Sequence, residues 1–285
     1  MTFISYAQNY EDVMLHRALK DIKKGFYIDV GANDPDLDSV SKAFYEMGWC
    51  GINIEPVTKW YQKLVEKRPN DINLEIAVSD TPGALHFFEI IDTGLSTLNK
   101  EICVPYLKEG FKFKEITVPA LTLDAICESY DVDEIHFLKV DVEGAEPAVL
   151  RSINLKRIRP WIILVEATKP NSQIENYENW EPLLTNQEYE FVYFDGLNRF
   201  YVAREKHFLK KAFNIPPNYF DFFIRASEWG VIKKIQLLEN ELNSTKELTD
   251  RLDQQLTAIL HSRSWRITKL LRSSSRIVRK LANKH

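Results

Sequence analysis

Four short apolar runs in this sequence carry a carboxylate at or near their carboxyl end. They are Tyr27-Ile28-Asp29-Val30-Gly31, Ile52-Asn53-Ile54-Glu55-Pro56, Leu138-Lys139-Val140-Asp141-Val142-Glu143-Gly144 and Ile162-Ile163-Leu164-Val165-Glu166. Runs this dense in β-branched residues read as buried strands, and small ligands sit beyond the carboxyl ends of parallel strands. The glycines narrow the ligand. After Gly31 the next glycine is Gly48, so neither G-x-G-x-x-G nor a phosphate loop with its Gly-Lys-Ser/Thr ending is present. Acidic strand ends, one glycine and then Asn33-Asp34 suit a ligand with hydroxyls, an amine and positive charge better than a pyrophosphate. Adenosylmethionine is such a ligand. Glu55 can accept hydrogen bonds from both ribose hydroxyls. Asp141, Glu143 and Glu146 crowd one strand-to-helix turn, which costs stability unless a cation or hydroxyl is held there. Asp141, Glu143, Glu166 and Asp195 are candidate bases for a hydroxyl proton. Asp141, Glu166 and Asp195 are also candidate ligands for a divalent cation such as Mg²⁺.

The elements that position these groups alternate strand and helix, which predicts an α/β fold with parallel, right-handed crossovers. A helix is expected within residues 5–23, capped by Asn9 and with Glu11 and Asp12 in its first turn, then helices over 39–47 and 58–67. Strand three is expected over Ile72 to Val78. Residues 83–119 break the rhythm: Leu85 to Ile91 and Phe111 to Val118 alternate as antiparallel strands about Asp92-Thr93-Gly94-Leu95-Ser96-Thr97, an insertion able to wall a pocket. Thr122 caps a helix to Tyr130, and Phe191 to Val202 reads as a final hairpin with an Asp-Gly-Leu-Asn turn. His136 opens its strand, away from the ligand edge, and reads as structural.

The order and spacing of these segments resemble the FkbM-type family of adenosylmethionine-dependent methyltransferases over about the first two hundred residues. The carriers are Ser5 to Leu15, Tyr27 to Asn33, Ile52 to Pro56, Ala77-Val78-Ser79-Asp80, Leu138 to Glu146 and Phe194-Asp195-Gly196-Leu197-Asn198-Arg199. The resemblance implies a Rossmann-like class I methyltransferase sheet of seven strands, the last antiparallel, and methyl transfer to an oxygen, often on a sugar. By position it places Asp29, Gly31 and Asn33 at the methionine moiety, Glu55 at the ribose and Ser79 and Asp80 at the adenine. Asp141 falls near the sulfonium and the acceptor, and Gln8 and Glu11 close over the cofactor. Asp34-Pro35 depart from the further glycines that many methyltransferases carry in this loop.

The last third changes character. From Ile235 the heptad positions Ile235, Leu238, Leu242, Thr245, Thr249, Leu252, Leu256 and Ile259 suggest a coiled coil and a homo-oligomer. Residues 262–285 hold eight Lys/Arg and no Asp/Glu; of the net charge of −4 this tail supplies +8, leaving −12 on residues 1–261. An acidic body argues against nucleic acid as a partner, and a basic tail with Trp265, Ile267, Leu270, Leu271, Val278 and Leu281 on one face suits an anionic membrane surface or an acidic partner. The expected division is 1–225 for the methyltransferase domain, 226–261 for the coiled-coil helix and 262–285 for the tail. Cys50, Cys103 and Cys127 at unrelated spacings, with no basic-then-apolar leader and no long apolar span, read as reduced thiols of a cytoplasmic protein, peripheral to an inner membrane if the tail binds lipid. The expected activity is O-methylation of a saccharide in bacterial surface-glycan synthesis. A second reading is a methyltransferase-like scaffold that organises glycan enzymes, against which intact Asp29, Glu55 and Asp141 speak. A nicotinamide oxidoreductase is disfavoured by the missing glycines.

Overall fold

The structure is a computed structural model that describes residues 2–91, 96–97, 103–104, 107–108, 110–170, 172–269 and 271–272. The chain divides into two compact units, Met1–Ala226 and Ser227–His285.

In the first unit, β1 (Phe3–Ser5) leads to α1 (Glu11–Leu19), β2 (Phe26–Val30), α2 (Lys42–Glu46), β3 (Cys50–Ile54), α3 (Thr58–Lys67) and β4 (Ile72–Leu74). Then come β5 (Ala77–Val78), β6 (Gly83–Ile90), β7 (Phe113–Leu121), α4 (Leu123–Ser129), β8 (Phe137–Val140), α5 (Glu146–Arg151), β9 (Ile162–Glu166), α6 (Glu181–Thr185), β10 (Tyr189–Phe194), β11 (Asn198–Ala203) and β12 (Phe223–Arg225). Seven strands form one sheet in the order β10-β11-β9-β8-β2-β3-β4. Every pairing from β9 through β4 is parallel, and β11 runs antiparallel to both β9 and β10. The chain winds outward from β2 to β4 and then restarts at β8 on the other side of β2, so the order reverses between β2 and β8. Such a reversal leaves a crevice at the carboxyl edge.

The strands are near-continuous apolar runs because both sheet faces are covered. Ile28, Val30, Ile52, Leu138, Ile163 and Val165 pack on one side with α4 and α5 residues, while Tyr27, Phe137, Ile162 and Leu164 pack on the other with Met14 and Leu15 of α1 and Phe44 of α2. His136 is structural, as expected: Nδ1 accepts from Phe26 N at 3.1 Å and the ring packs against Trp49 and Trp161.

Two local expectations need correction. Ile72 to Val78 is not one strand: β4 ends at Leu74, and Ala77–Val78 joins a separate three-stranded sheet, order β5-β7-β6. The apolar residues run through the join because half-buried β4 and buried β5 follow each other within two residues, so the pattern could not reveal the change of sheet. The cap of α1 is Tyr10, in the left-handed region at φ 62° and without a side-chain hydrogen bond, rather than Asn9. Asp12 instead ties the first turn of the helix back to β1, accepting from Ser5 Oγ and Tyr6 N at 2.7 Å each. The flanking strands of the insertion pair antiparallel as β6 and β7, as expected, and the turn at Asp92 to Leu95 between them lies outside the described residues. The Thr122 cap is present, its hydroxyl accepting from Ala125 N at 3.1 Å.

The second unit consists of α7 (Ala226–His261), 36 residues with no buried side chain, and the short α8 (Arg263–Ile267). Ile235, Leu238, Leu242, Leu252, Leu256 and Ile259 are all at least half exposed. The chain breaks at Ser262, which is extended (ψ 147°) and whose hydroxyl accepts from Trp265 N. Leu270 and residues 273–285 of the tail lie outside the described residues. No helix among the described residues is long and apolar enough to cross a membrane.

Candidate functional site

At the reversal point the carboxyl ends of β2, β3 and β8 surround a cavity of about 270 Å³. Its floor begins at Gly31. Here φ is +76°, and a Cβ would stand 1.8 Å from the Asp141 carbonyl oxygen. Only glycine fits, because the β2 and β8 ends pass this close at a left-handed residue. Further glycines are not needed downstream because Asn33 and Asp38 occupy left-handed positions themselves (φ 50° and 54°), as short polar side chains can. Asp34 then closes the loop, accepting from Asp36 N at 2.8 Å and pairing with Lys63 at 2.9 Å.

Glu55 lines the cavity at the end of β3. Its two oxygens accept from Asn33 N and Val57 N, each at 2.8 Å, which locks the carboxylate between two loops while leaving lone pairs for a ligand. Burial lifts its pKa to about 7 against the opposing pull of those N–H groups. Beyond β8, Asp141, Glu143 and Glu166 each place a carboxylate oxygen within 4.8 Å of the others. Burial, then the charges of Asp141 and Glu146, raise the Glu143 pKa above the ordinary carboxylate range, and burial, then Asp141, Glu143 and Glu146, raise that of Glu166. Glu143 sits at φ 51° with its carbonyl held by the Thr97 hydroxyl at 2.8 Å, so the inserted sheet arm buttresses this turn. Phe87 and Ser96 of the same insertion line the cavity.

Of the residues expected to act, Gln8, Gly31, Asn33, Glu55, Asp141, Glu143 and Glu166 line this cavity. Five others are placed elsewhere. Asp29 lies behind the wall, 1 % exposed, its Oδ2 accepting from Ser41 Oγ at 2.6 Å and its Oδ1 3.2 Å from Lys139 Nζ without hydrogen-bond geometry. It stops one residue short of the end of β2, on the face where Ser41 at the start of α2 meets it, whereas Gly31 lies past the strand end at the opening. Ser79 is buried beyond β5, its Oγ accepting from Thr81 N, and Asp80 turns outward to Arg151 at 2.6 Å. The displacement follows from β5 leaving the main sheet, so that Ile76, Ala77 and Val78 reach the cavity instead. Glu11 and Asp195 form a neighbouring knot: Asn198 Nδ2 donates to Glu11 Oε1 at 2.9 Å and to Asp195 Oδ2 at 3.2 Å, and Asp195 Oδ1 accepts from Leu197 N and Asn198 N. Both carboxylates are occupied in holding the β10–β11 turn, from which Leu197 reaches the cavity. Glu146 likewise caps its own turn, Oε1 accepting from Gly144 N at 3.0 Å.

Sequence reasoning missed Lys139 as a site residue. Its Nζ donates to Gly31 O at 3.0 Å and stands 3.2 Å from Asp29 and 3.3 Å from Asp141. Burial alone would depress this ammonium; the two carboxylates outweigh it and hold its pKa above the ordinary lysine value. The signal was available, since a lysine inside a buried strand demands a partner. Arg68, Ser41 and Trp60 gave no such signal. Arg68, 2 % exposed, donates to Ser41 Oγ and Ser39 Oγ at 2.6 Å and to Pro35 O at 2.9 Å, fastening the loop over Gly31 to the end of α3.

Glu11 and Glu55 give a pH dependence. Their folded pKa values, about 8 and about 7 through burial, stand above the ordinary 4.5. Their contribution to stability is therefore fully present below about pH 4.5 and is lost as pH rises through 7 and 8. The ligand-free first unit should melt at a higher temperature at pH 6 than at pH 8.5, and Glu11→Gln should flatten that slope. Calorimetric melting across the range checks it, and a slope of opposite sign would refute it.

The lining holds five acidic side chains, Asp38, Glu55, Asp141, Glu143 and Glu166, and one ammonium, on Lys139. Burial and crowding hold Glu55, Glu143 and Glu166 toward their neutral form, and a cationic ligand with hydroxyl groups would relieve that cost by favouring their charged form. Comparison with protein families finds that residues 29–192 match the methyltransferase FkbM domain. No curated protein matches the chain.

Proposed function

Because this chain belongs to the FkbM methyltransferase family, for which adenosylmethionine is the expected methyl donor, we propose that it moves the methyl group of adenosylmethionine to a hydroxyl oxygen of a saccharide. We read its seven-stranded sheet as the Rossmann-like class I arrangement, with the strand reversal at β2 and β8 in support. The observation that carries the donor is the acidic, hydroxyl-accepting cavity at that reversal. Glu55 would take the ribose hydroxyls, while Gly31 and Asn33 receive the methionine end and Gln8 lies over it. Trp60 and the apolar Ile76 to Val78 wall suit the adenine, a role that passes from Ser79 and Asp80.

The donor's positive sulfur already activates its methyl group, so the chain's task is alignment and proton removal. The acceptor oxygen forms a bond to the methyl carbon as the carbon–sulfur bond breaks, its electron pair returning to sulfur, and the hydroxyl proton passes to a carboxylate at the β8–β9 end. Asp141 is the residue assigned to receive it. Alignment contributes up to about 7–11 kcal/mol of barrier lowering and a placed base roughly 10²- to 10⁴-fold. Lys139 holds Asp141 in place, and the insertion arm excludes water.

Calorimetry with adenosylmethionine tests the reading. A 1:1 heat that Glu55→Gln weakens at least fivefold is expected; no heat at high micromolar donor would end it. Turnover against a panel of sugars and glycan precursors then tests the acceptor, and methylation of a protein or small aromatic alone would move the assignment away from saccharides.

The heptad face of α7 supports a homo-oligomer, and the basic tail supports attachment to an anionic membrane surface in a bacterial surface-glycan pathway. Ending the chain at residue 225 should give a monomer by light scattering that still binds the donor, whereas ending it at 261 should keep the oligomer and lose binding to anionic vesicles. A monomeric full-length chain, or unchanged vesicle binding, would discard the respective role.

A further inference from the structure

Three acidic groups stand at the β8–β9 end of the cavity, and one of them keeps a buried oxygen unsatisfied. Glu143, 9 % exposed, has Oε2 buried with no hydrogen-bond donor among the described residues. A buried carboxylate oxygen left unsatisfied is costly, so a native chain retains one where a ligand completes it. The neighbouring groups do not satisfy it: Asp141 and Glu166 are carboxylates, and Lys139 is already engaged by Asp29, Asp141 and Gly31 O.

We infer that Asp141, Glu143 and Glu166 form a divalent-cation site. Donor oxygens around one hard cation at about 2.1–2.4 Å lie roughly 3–5 Å apart, and these three groups fall within 4.8 Å of one another. An all-carboxylate donor set selects Mg²⁺, Mn²⁺ or Ca²⁺ over softer metals. Three groups leave coordination positions open on the cavity side, enough for water and a hydroxyl of the acceptor. Asp195, which the sequence placed in this set, is replaced by Glu143: the hairpin turn consumes Asp195, while Glu143 is held inward by its left-handed backbone and the Thr97 hydroxyl. A cation here would withdraw charge from the bound hydroxyl and ease its deprotonation beside Asp141. That chemical role rests on the methyl-transfer reading; the existence of the site does not.

Mn²⁺ is the probe, added to metal-stripped full-length protein and followed by electron paramagnetic resonance. One site per chain is expected, displaced by Mg²⁺ or Ca²⁺, with Glu143→Gln and Glu166→Gln each weakening Mn²⁺ at least tenfold and Glu178→Gln, an exposed control, leaving it unchanged. Should those variants fail to fold, the wild-type protein still decides: bound Mn²⁺ should strongly broaden the proton resonances of adenosylhomocysteine in the cavity. Absence of Mn²⁺ binding at millimolar concentration, Mn²⁺ binding indifferent to both folded variants, or Mn²⁺ bound without broadening adenosylhomocysteine that calorimetry shows to be bound would overturn the site. Donor calorimetry in the presence of a chelator separates the two readings. Heat there without an Mn²⁺ site leaves the methyltransferase reading standing and removes the cation; an Mn²⁺ site without donor heat does the reverse.

Discussion

Asp141→Asn should lower turnover by about 10²- to 10⁴-fold, the range a positioned proton acceptor supplies, while shifting the melting temperature by only a few degrees. The asymmetry comes from placement. Asp141 ends a buried strand, yet its side chain is 37 % exposed toward the cavity, so asparagine neither opens a void nor strands a charge. Lys139 keeps Asp29 and the Gly31 carbonyl as partners after the change. Release of adenosylhomocysteine in single turnover, set beside calorimetric melting of the same samples, measures both quantities. Equal proportional loss of activity and stability would make Asp141 a structural residue and move the proton to another group.

Lys139→Met should have the opposite balance. It removes the cation facing Asp29, which is fully buried and keeps only the Ser41 hydroxyl. Breaking a buried pair from one side typically costs about 3–5 kcal/mol, which for a unit of this size lowers the melting temperature by roughly 6–20 °C. The geometry gives a further check, because Lys139 also ties Gly31 O to the ion pair; donor affinity should fall together with stability. Combining Lys139→Met with Asp29→Asn removes both charges and should recover a substantial part of the lost stability. A double variant as unstable as the single one would show that the pair's electrostatics are secondary to the packing of the lysine stem.

How far the sequence alone reveals this molecule depends on whether a feature is local. Buried strands ending in carboxylates are legible, since a β-branched run of four or five residues packs best inside a sheet and a charge at its end must meet solvent, a partner or a ligand. Gly31 is legible for the same reason, although only the structure shows that the Asp141 carbonyl is what demands it. Asp195 and Asp80 mislead because a carboxylate in a turn looks identical whether it faces a ligand, its own N–H groups or an arginine 71 residues away. Asp29 misleads by one position: it precedes the last residue of a strand covered on both faces, so Ser41 and Lys139 take its carboxylate before any ligand can. The break at Leu74 and the buried Arg68 are invisible because both are set by tertiary partners, a second sheet in one case and four acceptors drawn from three segments in the other.

The guanidinium of Arg68 has a kinetic consequence. By fastening Pro35, Ser39, Ser41 and Asn53 before any small molecule arrives, it gives the loop over Gly31 a single resting shape. Capture of the nucleoside then requires little ordering of the backbone, so its arrival rate should track diffusion and viscosity, and amide hydrogens of residues 36–41 should exchange slowly with and without it.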